Sequence, residues 1–197
     1  MFGIRGFSCG SYVMYDHHHI ESLAADADES TVEVVRTYDP GIEAAFGVSR
    51  AVMEERLAAG GTCFVLREEG QFLGIMWGHV GSCYVRGVGL PIVRDDSAVY
   101  WYWIATVPTA RGRGVFTRLS AAFFRYYVGK GVKSCSAIVE TRNTIMRNGM
   151  KKMGFAAKTK HCFFKLGRVA LIVTTDLDTM THHVSLESGN RGGLAVI

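Results

Sequence analysis

The fold is most clearly indicated by residues 104–116, Ile-Ala-Thr-Val-Pro-Thr-Ala-Arg-Gly-Arg-Gly-Val-Phe. It overlaps the end of an aromatic, nearly continuous apolar run, Ala98 to Thr106, which is typical of a central strand covered on both faces. Pro108 ends that strand, and from Gly114 onward apolar residues recur at helical spacing, at Val115, Leu119, Phe123 and Tyr126. The pattern therefore predicts a buried strand, a glycine-rich turn and an amphipathic helix in direct succession.

The turn between this strand and this helix has the composition of an anion site. The first backbone N–H groups of a helix have no partner within the helix and lie at the positive end of its dipole. Gly112 and Gly114 let a phosphate approach the backbone, and Arg111 and Arg113 add positive charge beside it. A tight turn with two solvated arginines is the alternative that the spacing alone leaves open.

Two motifs around this turn resemble those of a known family. Pro108-x-x-Arg111-Gly112-x-Gly114, followed by Leu119, resembles the pyrophosphate-binding motif of the GNAT acetyltransferases. The segment from Asn143 to Phe155, in which Asn starts a short helix and Gly-Phe follows it, resembles the second conserved stretch of that family. One predicted helix and one predicted strand separate the two motifs, as the family requires. The resemblance is specific over Ala98 to Leu166.

The resemblance implies an α/β (α+β) fold with a mixed, mainly antiparallel central sheet flanked by helices. Two parallel strands, Ala98 to Thr106 and Ser134 to Val139, are expected to splay apart in the middle of the sheet. We expect an N-terminal extension over residues 1–30, the acyltransferase domain over 31–175 and a C-terminal tail over 176–197.

The activity implied by the resemblance is N-acyl transfer. An acetyl or other short acyl group would move from acyl-CoA to a primary amine, by direct attack of the amine in a ternary complex. Backbone N–H groups of the central strand would stabilise the oxyanion. The residues that the resemblance assigns to CoA binding are Ala105, Thr106, Val107, Arg111, Gly112, Arg113, Gly114, Val115, Phe116, Asn143 and Met150.

Three of these positions carry an alternative interpretation or depart from the family. Phe116 stands where the family usually has Gly or Ala, and Asn143 also suits the N-cap of the following helix. Met150 stands where many members have a tyrosine that protonates the leaving thiolate, which methionine cannot do. A tyrosine introduced by Met150→Tyr is expected to pack without serious disruption.

A base must accept a proton from the attacking ammonium, and its pKa should lie near the working pH. The central strand has no carboxylate and no histidine, so the first candidate is Glu140, just past the next strand, and the second is His79. A relay through water and Tyr100 or Tyr102 is the third candidate. The alternative for Glu140 is a solvated ion pair with one of two nearby arginines, Arg142 and Arg147.

Composition limits the partners and the compartment. Lys plus Arg exceeds Asp plus Glu by only four, which is too little to favour a nucleic-acid partner. The five cysteines are scattered without a CxxC pair, so we expect reduced thiols in a cytoplasmic protein. No apolar run is long enough to span a bilayer, so no membrane association is expected.

Adjacent side chains of a strand point to opposite faces, so His17-His18-His19 is not expected to bind a metal.

The expected partners are acetyl-CoA, as co-substrate, and a small-molecule or peptide amine, with a homodimer as an open alternative to a monomer. Two other classes of protein remain to be discriminated. A non-catalytic CoA-binding or regulatory module would account for Met150 and for the missing carboxylate. An acyltransferase that takes its acyl group from aminoacyl-tRNA would need a wide basic surface, which the net charge does not favour.

Overall fold

One nine-stranded sheet organises the computed structural model, which describes residues 7–24, 32–85, 90–166, 169–188 and 195–196. Its strands are β1 (Phe7–His17), β2 (Val32–Val35), β3 (Thr62–Glu68), β4 (Gln71–Val80), β7 (Ala98–Thr106), β8 (Ser134–Glu140), β9 (Ala156–Leu166), β10 (Val169–Asp176) and β11 (His182–Ser188). Three short strands form a second sheet: β5 (Cys83–Val85), β6 (Leu90–Ile92) and β12 (Ala195–Val196).

The order of strands in the large sheet is β11-β10-β9-β1-β8-β7-β4-β3-β2. Within the described residues, β7 and β8 run parallel, and every other neighbouring pair in this sheet is antiparallel. The prediction of a mixed, mainly antiparallel sheet with one parallel pair in its middle is therefore confirmed.

Four α-helices cover the two faces of this sheet in the described part of the chain. They are α1 (Pro40–Phe46), α2 (Arg50–Ala58), α3 (Val115–Val128) and α4 (Thr144–Lys152). Asp39 begins α1 by accepting the N–H of Gly41, with Pro40 in the first turn, and Ser49 begins α2 by accepting the N–H of Val52. Single 3₁₀ turns lie at Ile20–Leu23 and Pro108–Ala110.

The long helix α3 lies directly against β4 because two glycines of β4 have no side chain. A Cβ atom at Gly74 would come within 2.5 Å of Val115, and one at Gly78 within 2.6 Å of Phe123. Between these glycines, Met76 joins the core beneath α3, while Ile75 and Trp77 point to the other face and pack with Ile42 of α1 and Met53 of α2. The sheet thus has an α3 face and an α1/α2 face.

The parallel strands β7 and β8 part halfway along their length. Their pairing runs from Ala98 opposite Ser134 to Trp101 opposite Ala137, although both strands continue further. The register between β7 and β4 shifts in the same region, and Trp103 has a left-handed φ of 46°, which is rare for a residue with a Cβ. This bulge turns the end of β7 away from β8 and opens the middle of the sheet.

Both terminal segments contribute strands to the large sheet. β1, which comes from the segment expected to be an extension, lies between β8 and β9 and buries Val13, Met14 and Tyr15. β11, from the expected tail, forms an edge of the sheet and leaves Val184 and Leu186 exposed. The boundary expected at residues 30–31 lies outside the described residues, and the division into domains stays a prediction.

Candidate functional site

A cleft of about 190 Å³ lies where β7 and β8 part. It crosses the sheet, because side chains of one face and of the other alternate along both strands. Its lining residues come from β7, from β8 and from the start of α4: Trp101, Tyr102, Trp103, Ile104, Ala137, Ile138, Val139, Glu140, Asn143, Met146 and Met150. Residues of the two strands and of α4 therefore form a slot of mixed polarity, with apolar side chains along it and the polar side chains of Tyr102, Glu140 and Asn143.

The glycine-rich turn leads from the end of β7 into α3 with the geometry of an anion site. Gly112 and Gly114 have φ values of 77° and 74°, and a Cβ atom at either would meet nothing within 4 Å. Gly114 is the N-cap of α3 and provides no side-chain cap for the N–H groups of the first turn. These donors lie at the positive end of a 14-residue helix without a side-chain cap from Gly114.

The arginines near this turn differ in their partners. Arg113 donates to Glu68 at 3.1 Å, and Arg118 forms a second ion pair with the same carboxylate. Arg111 is exposed. Glu68 is the last residue of β3. Its role as a partner of Arg113 is not predictable from the sequence, because the two residues lie 45 positions apart and no local pattern connects them. Its charge offsets part of the positive potential, so the helix N-terminus and Arg111 are the groups best placed to meet an anion.

The three backbone positions expected to hold the acyl carbonyl are not equivalent. The N–H of Val107 donates to the carbonyl of Leu73 at 3.0 Å, so this group is engaged in the sheet and does not face the cleft. Because successive residues of a strand point their N–H groups to opposite neighbours, Ala105 faces β4 as Val107 does. Thr106 points its N–H toward β8 and the parting of the strands. Among the three, Thr106 has the orientation that an oxyanion donor requires.

Val115 and Phe116 place their side chains in the core. Val115 is buried against Gly74, and Phe116 stacks on Trp101 with ring centroids 5.7 Å apart and an angle of 19° between the rings. The aromatic residue at position 116 thus closes the α3 face of the sheet beside the cleft. Any contact of these two residues with a bound anion would come from their backbone N–H groups.

Asn143 and Met150 both line the cleft from α4. The side chain of Asn143 caps the helix by accepting the N–H of Met146 at 3.1 Å. Met150 is fully buried, and it places a thioether, which has no proton to donate, against the slot. Arg147 donates to the hydroxyl of Tyr15 and to the carbonyl of Thr141, so it does not pair with Glu140.

Of the two ionisable candidates for the base, only Glu140 lies at the cleft. Its partly exposed carboxylate forms an ion pair with the exposed Arg142. In the neighbouring strand the residue opposite is Tyr12, whose pKa is raised by burial and by the charge of Glu140. Glu140 thus lies at the slot, partly exposed and paired with an exposed arginine.

His79 and Tyr100 lie opposite each other, deeper in the sheet. Burial lowers the pKa of His79, partly offset by a hydrogen bond with the backbone of Ser82, and burial raises the pKa of Tyr100. Neither residue lines the cleft, whereas Tyr102 does. The structure therefore places Glu140 and Tyr102 in the lining of the cleft, and His79 and Tyr100 outside it.

The cysteines, the possible metal ligands and the apolar character of the helices bear on the alternatives considered from the sequence. Cys135 is buried, Cys162 is half-buried, and every cysteine is free. No group of three or more His, Cys, Asp or Glu side chains in the described ranges is placed to hold a metal ion. Across the same residues, none of the helices has the length and apolar character needed to cross a membrane.

Comparison with known proteins agrees with this geometry. The model of the acetyltransferase (GNAT) family matches residues 20–155, which include both motifs and the cleft. No curated protein matches the sequence significantly.

Three solved structures share the fold at low sequence identity. A protein described as a GNAT-family member from Novosphingobium aromaticivorans has a TM-score of 0.60 at 12% identity, covering 83% of this chain and 66% of its own. A Drosophila protein has a TM-score of 0.56 at 13% identity, covering 83% and 53%. An acetyltransferase of the GNAT family from Colwellia psychrerythraea has a TM-score of 0.51 at 12% identity, covering 82% and 57%. The chain spans between about half and two thirds of the length of these structures.

Proposed function

Because the chain belongs to the acetyltransferase (GNAT) family, we propose that it transfers an acetyl or other short acyl group from acyl-CoA to a primary amine. The cleft between β7 and β8 is the observation that supports this proposal most. It is a slot of about 190 Å³ lined by apolar side chains and by the polar side chains of Tyr102, Glu140 and Asn143, and the glycine-rich turn leads from β7 to the N-terminus of α3. A pantetheine arm is long and thin and ends in a pyrophosphate, so it suits a slot next to an anion site.

The proposed reaction is direct transfer in a ternary complex. The nitrogen lone pair of the neutral amine attacks the thioester carbonyl carbon, forming the C–N bond. The C–S bond then breaks, and CoA leaves as the thiolate. The N–H of Thr106 stabilises the oxyanion formed in between. Glu140 takes the proton that the ammonium must lose, directly or through water and Tyr102.

Met150 leaves no acid on α4 for the thiolate. A thiol is acidic enough to leave as the anion, so in this proposal water protonates it after release. A CoA-binding module without turnover is the second candidate function, and it is favoured by Met150 and by the ion pair that occupies Glu140.

Several properties remain predictions that accompany this function. We expect a cytoplasmic protein with no nucleic-acid or membrane partner and no metal requirement. A homodimer stays an alternative to a monomer. Strands from both terminal segments enlarge the sheet beyond residues 20–155, the part that matches the family model. We expect the specificity for the acceptor amine to depend on these terminal segments.

The experiment that tests the function is release of the CoA thiol from acetyl-CoA, measured with the purified protein and a panel of primary amines. The panel should contain amino acids, their carboxamides, polyamines, aminoglycosides and lysine peptides. Amine-dependent thiol release, with the acetylated amine detected by mass spectrometry, supports the transferase. Acetyl-CoA binding without thiol release for any amine supports the binding module instead.

A further inference from the structure

An arginine lies within a group of aromatic rings on the α1/α2 face, next to the cleft. The guanidinium carbon of Arg56, in α2, is 5.3 Å from the ring centroid of Trp77, 5.6 Å from that of Tyr102 and 5.0 Å from that of Trp103. Three rings around one guanidinium give a favourable cation–π environment. They also remove much of the water that normally solvates the charge.

Three polar atoms of this group are buried without a hydrogen-bond partner in the described part of the chain. They are Nη1 of Arg56, Nε1 of Trp77 and the hydroxyl oxygen of Tyr102. An unmet buried donor typically costs on the order of 1–3 kcal/mol, and a charged one costs more. Three such atoms in one cluster leave hydrogen-bonding capacity that a bound group would satisfy.

The charge of Arg56 has no carboxylate partner among the ion pairs of the described residues. The acidic side chain that acts on it is its neighbour Glu55, which is exposed on the surface of α2. Burial lowers the pKa of Arg56, the direction expected for a cation without a close counter-charge. An arginine nevertheless stays protonated, so the site keeps a positive charge that an anion would neutralise.

This cluster forms a wall of the cleft. Tyr102 and Trp103 line the slot, and Trp103 is the bulge residue whose left-handed φ turns β7 outward. Strained backbone of this kind concentrates at functional sites. Glu140 is at the same slot, across it on β8. A molecule that enters from the α1/α2 face therefore has the candidate base on one side and the arginine with its rings on the other.

We propose that Arg56 binds an anionic group of the acyl acceptor, and that the acceptor is an amine that also carries a carboxylate, as an amino acid does. A carboxylate matches the planar fork of a guanidinium and accepts hydrogen bonds from Arg56 and from the hydroxyl of Tyr102. Arg56 is half-buried, so part of the side chain remains in contact with solvent. This proposal rests on the proposed acyltransferase function and specifies its substrate class.

The test compares acceptors that differ only in the carboxylate. With acetyl-CoA saturating, kcat/KM is measured for a set of free L-amino acids and for the matching carboxamides. We expect the best amino acid to exceed its carboxamide by about tenfold or more, which corresponds to about 1.4 kcal/mol. In Arg56→Gln this ratio should fall toward one through a higher KM for the amino acid, while the carboxamide changes little.

Two variants separate recognition from stability. Arg50→Gln is the matched control, since Arg50 lies on the same helix, is exposed and pairs with Glu54. It should keep the full preference for the carboxylate. Arg56→Lys keeps the charge but loses the planar fork, so it should retain an intermediate preference even if Arg56→Gln folds poorly.

Three results would overturn the inference. One is equal use of amino acids and carboxamides by the wild type. The second is turnover in the panel that is confined to amines without an anionic group, which would leave the acyltransferase function standing. The third is an equal loss for both acceptors in Arg56→Gln and Arg56→Lys together with a lower melting temperature, which would make Arg56 a structural anchor of α2. Absence of turnover with every amine would instead refute the proposed function.

Discussion

At the scale of single residues, Gly114 carries the clearest prediction. Its φ of 74° and the open space around it indicate a backbone kept bare for an anion. A valine at this position would strain the left-handed backbone as well as block the anion. Gly114→Asn is the better test of anion binding, because asparagine tolerates this backbone conformation. We expect acetyl-CoA affinity to fall on the order of tenfold, about 1.4 kcal/mol, with little change in melting temperature.

Gly131 offers a matched control for this change. It has a φ of 81°, also meets nothing within 4 Å, and lies beyond the other end of α3. Gly131→Asn should leave acetyl-CoA binding, measured by isothermal titration calorimetry, at the wild-type value. Equal affinity in both variants would move the anion site away from the start of α3.

The second residue prediction concerns Glu140. Glu140→Gln keeps the shape and the hydrogen bonding of the side chain but removes its basicity. If Glu140 accepts the proton, kcat should fall on the order of 100-fold with acetyl-CoA affinity nearly unchanged. Arg142→Gln removes only the partner of the ion pair and should retain most of the rate. Near-normal turnover by Glu140→Gln, measured by thiol release, would reduce Glu140 to an ion-pair residue.

At the scale of elements, α4 contributes a buried residue where the family often has an acid. Full burial of Met150 changes the expectation that Met150→Tyr packs without disruption. A larger ring in a filled core typically costs about 1–3 kcal/mol. We expect urea unfolding to show a loss of this size, whereas Ile145→Tyr on the same helix should be close to neutral, because Ile145 is 87% exposed. A stable Met150→Tyr with higher turnover would show that the ring enters the cleft.

The pairing of β9 with β10 should make stability depend on pH through His161. This buried ring lies between two threonine hydroxyls, 2.8 Å from that of Thr159 and 3.0 Å from that of Thr174. Burial lowers the pKa of His161 below its ordinary value of 6.5. The unfolded chain therefore binds a proton at a higher pH than the folded chain, and stability present above pH 6.5 is lost as the pH falls below it.

Melting temperatures at pH 7.5 and pH 5 measure this effect. His161→Gln should reduce the drop between the two pH values, since it removes the proton-binding group. His183→Gln is the control, because His183 is exposed on β11 and pairs in register with Thr174. An unchanged drop in His161→Gln would assign the pH dependence to other groups, with His17 and His79 next in line.

At the scale of the whole molecule, acetyl-CoA should stabilise the folded chain. A ligand that binds only the native state at about 100 times its dissociation constant adds about 2.7 kcal/mol. We expect the melting temperature to rise with acetyl-CoA concentration. At the same concentration, Gly114→Asn, which should bind tenfold more weakly, gains only about 1.4 kcal/mol, so its melting temperature should rise less than that of the wild type. No shift for the wild type at millimolar acetyl-CoA would count against the proposed function.

The elements around the site could be predicted from the amino-acid sequence, because the signals for them are local. A continuous apolar strand, a turn with two glycines and an amphipathic helix follow one another within residues 98–128, and each obeys its own periodicity. The family resemblance that these local motifs carry then implies the parallel pair β7 and β8. Asn143 could likewise be assigned as a helix cap from its own neighbourhood.

Which groups meet at the site could be seen only in the folded chain, because those contacts join distant parts of the sequence. β1 lies in the middle of the sheet, and its Tyr15 contacts Arg147 across 132 residues of sequence. The pairing of β7 with β4 engages the N–H of Val107, which donates to the carbonyl of Leu73. The same long-range packing placed Arg56 of α2 among rings of β4 and β7. Periodicity within a segment carries no information about which segment becomes its neighbour, so these features required the folded chain.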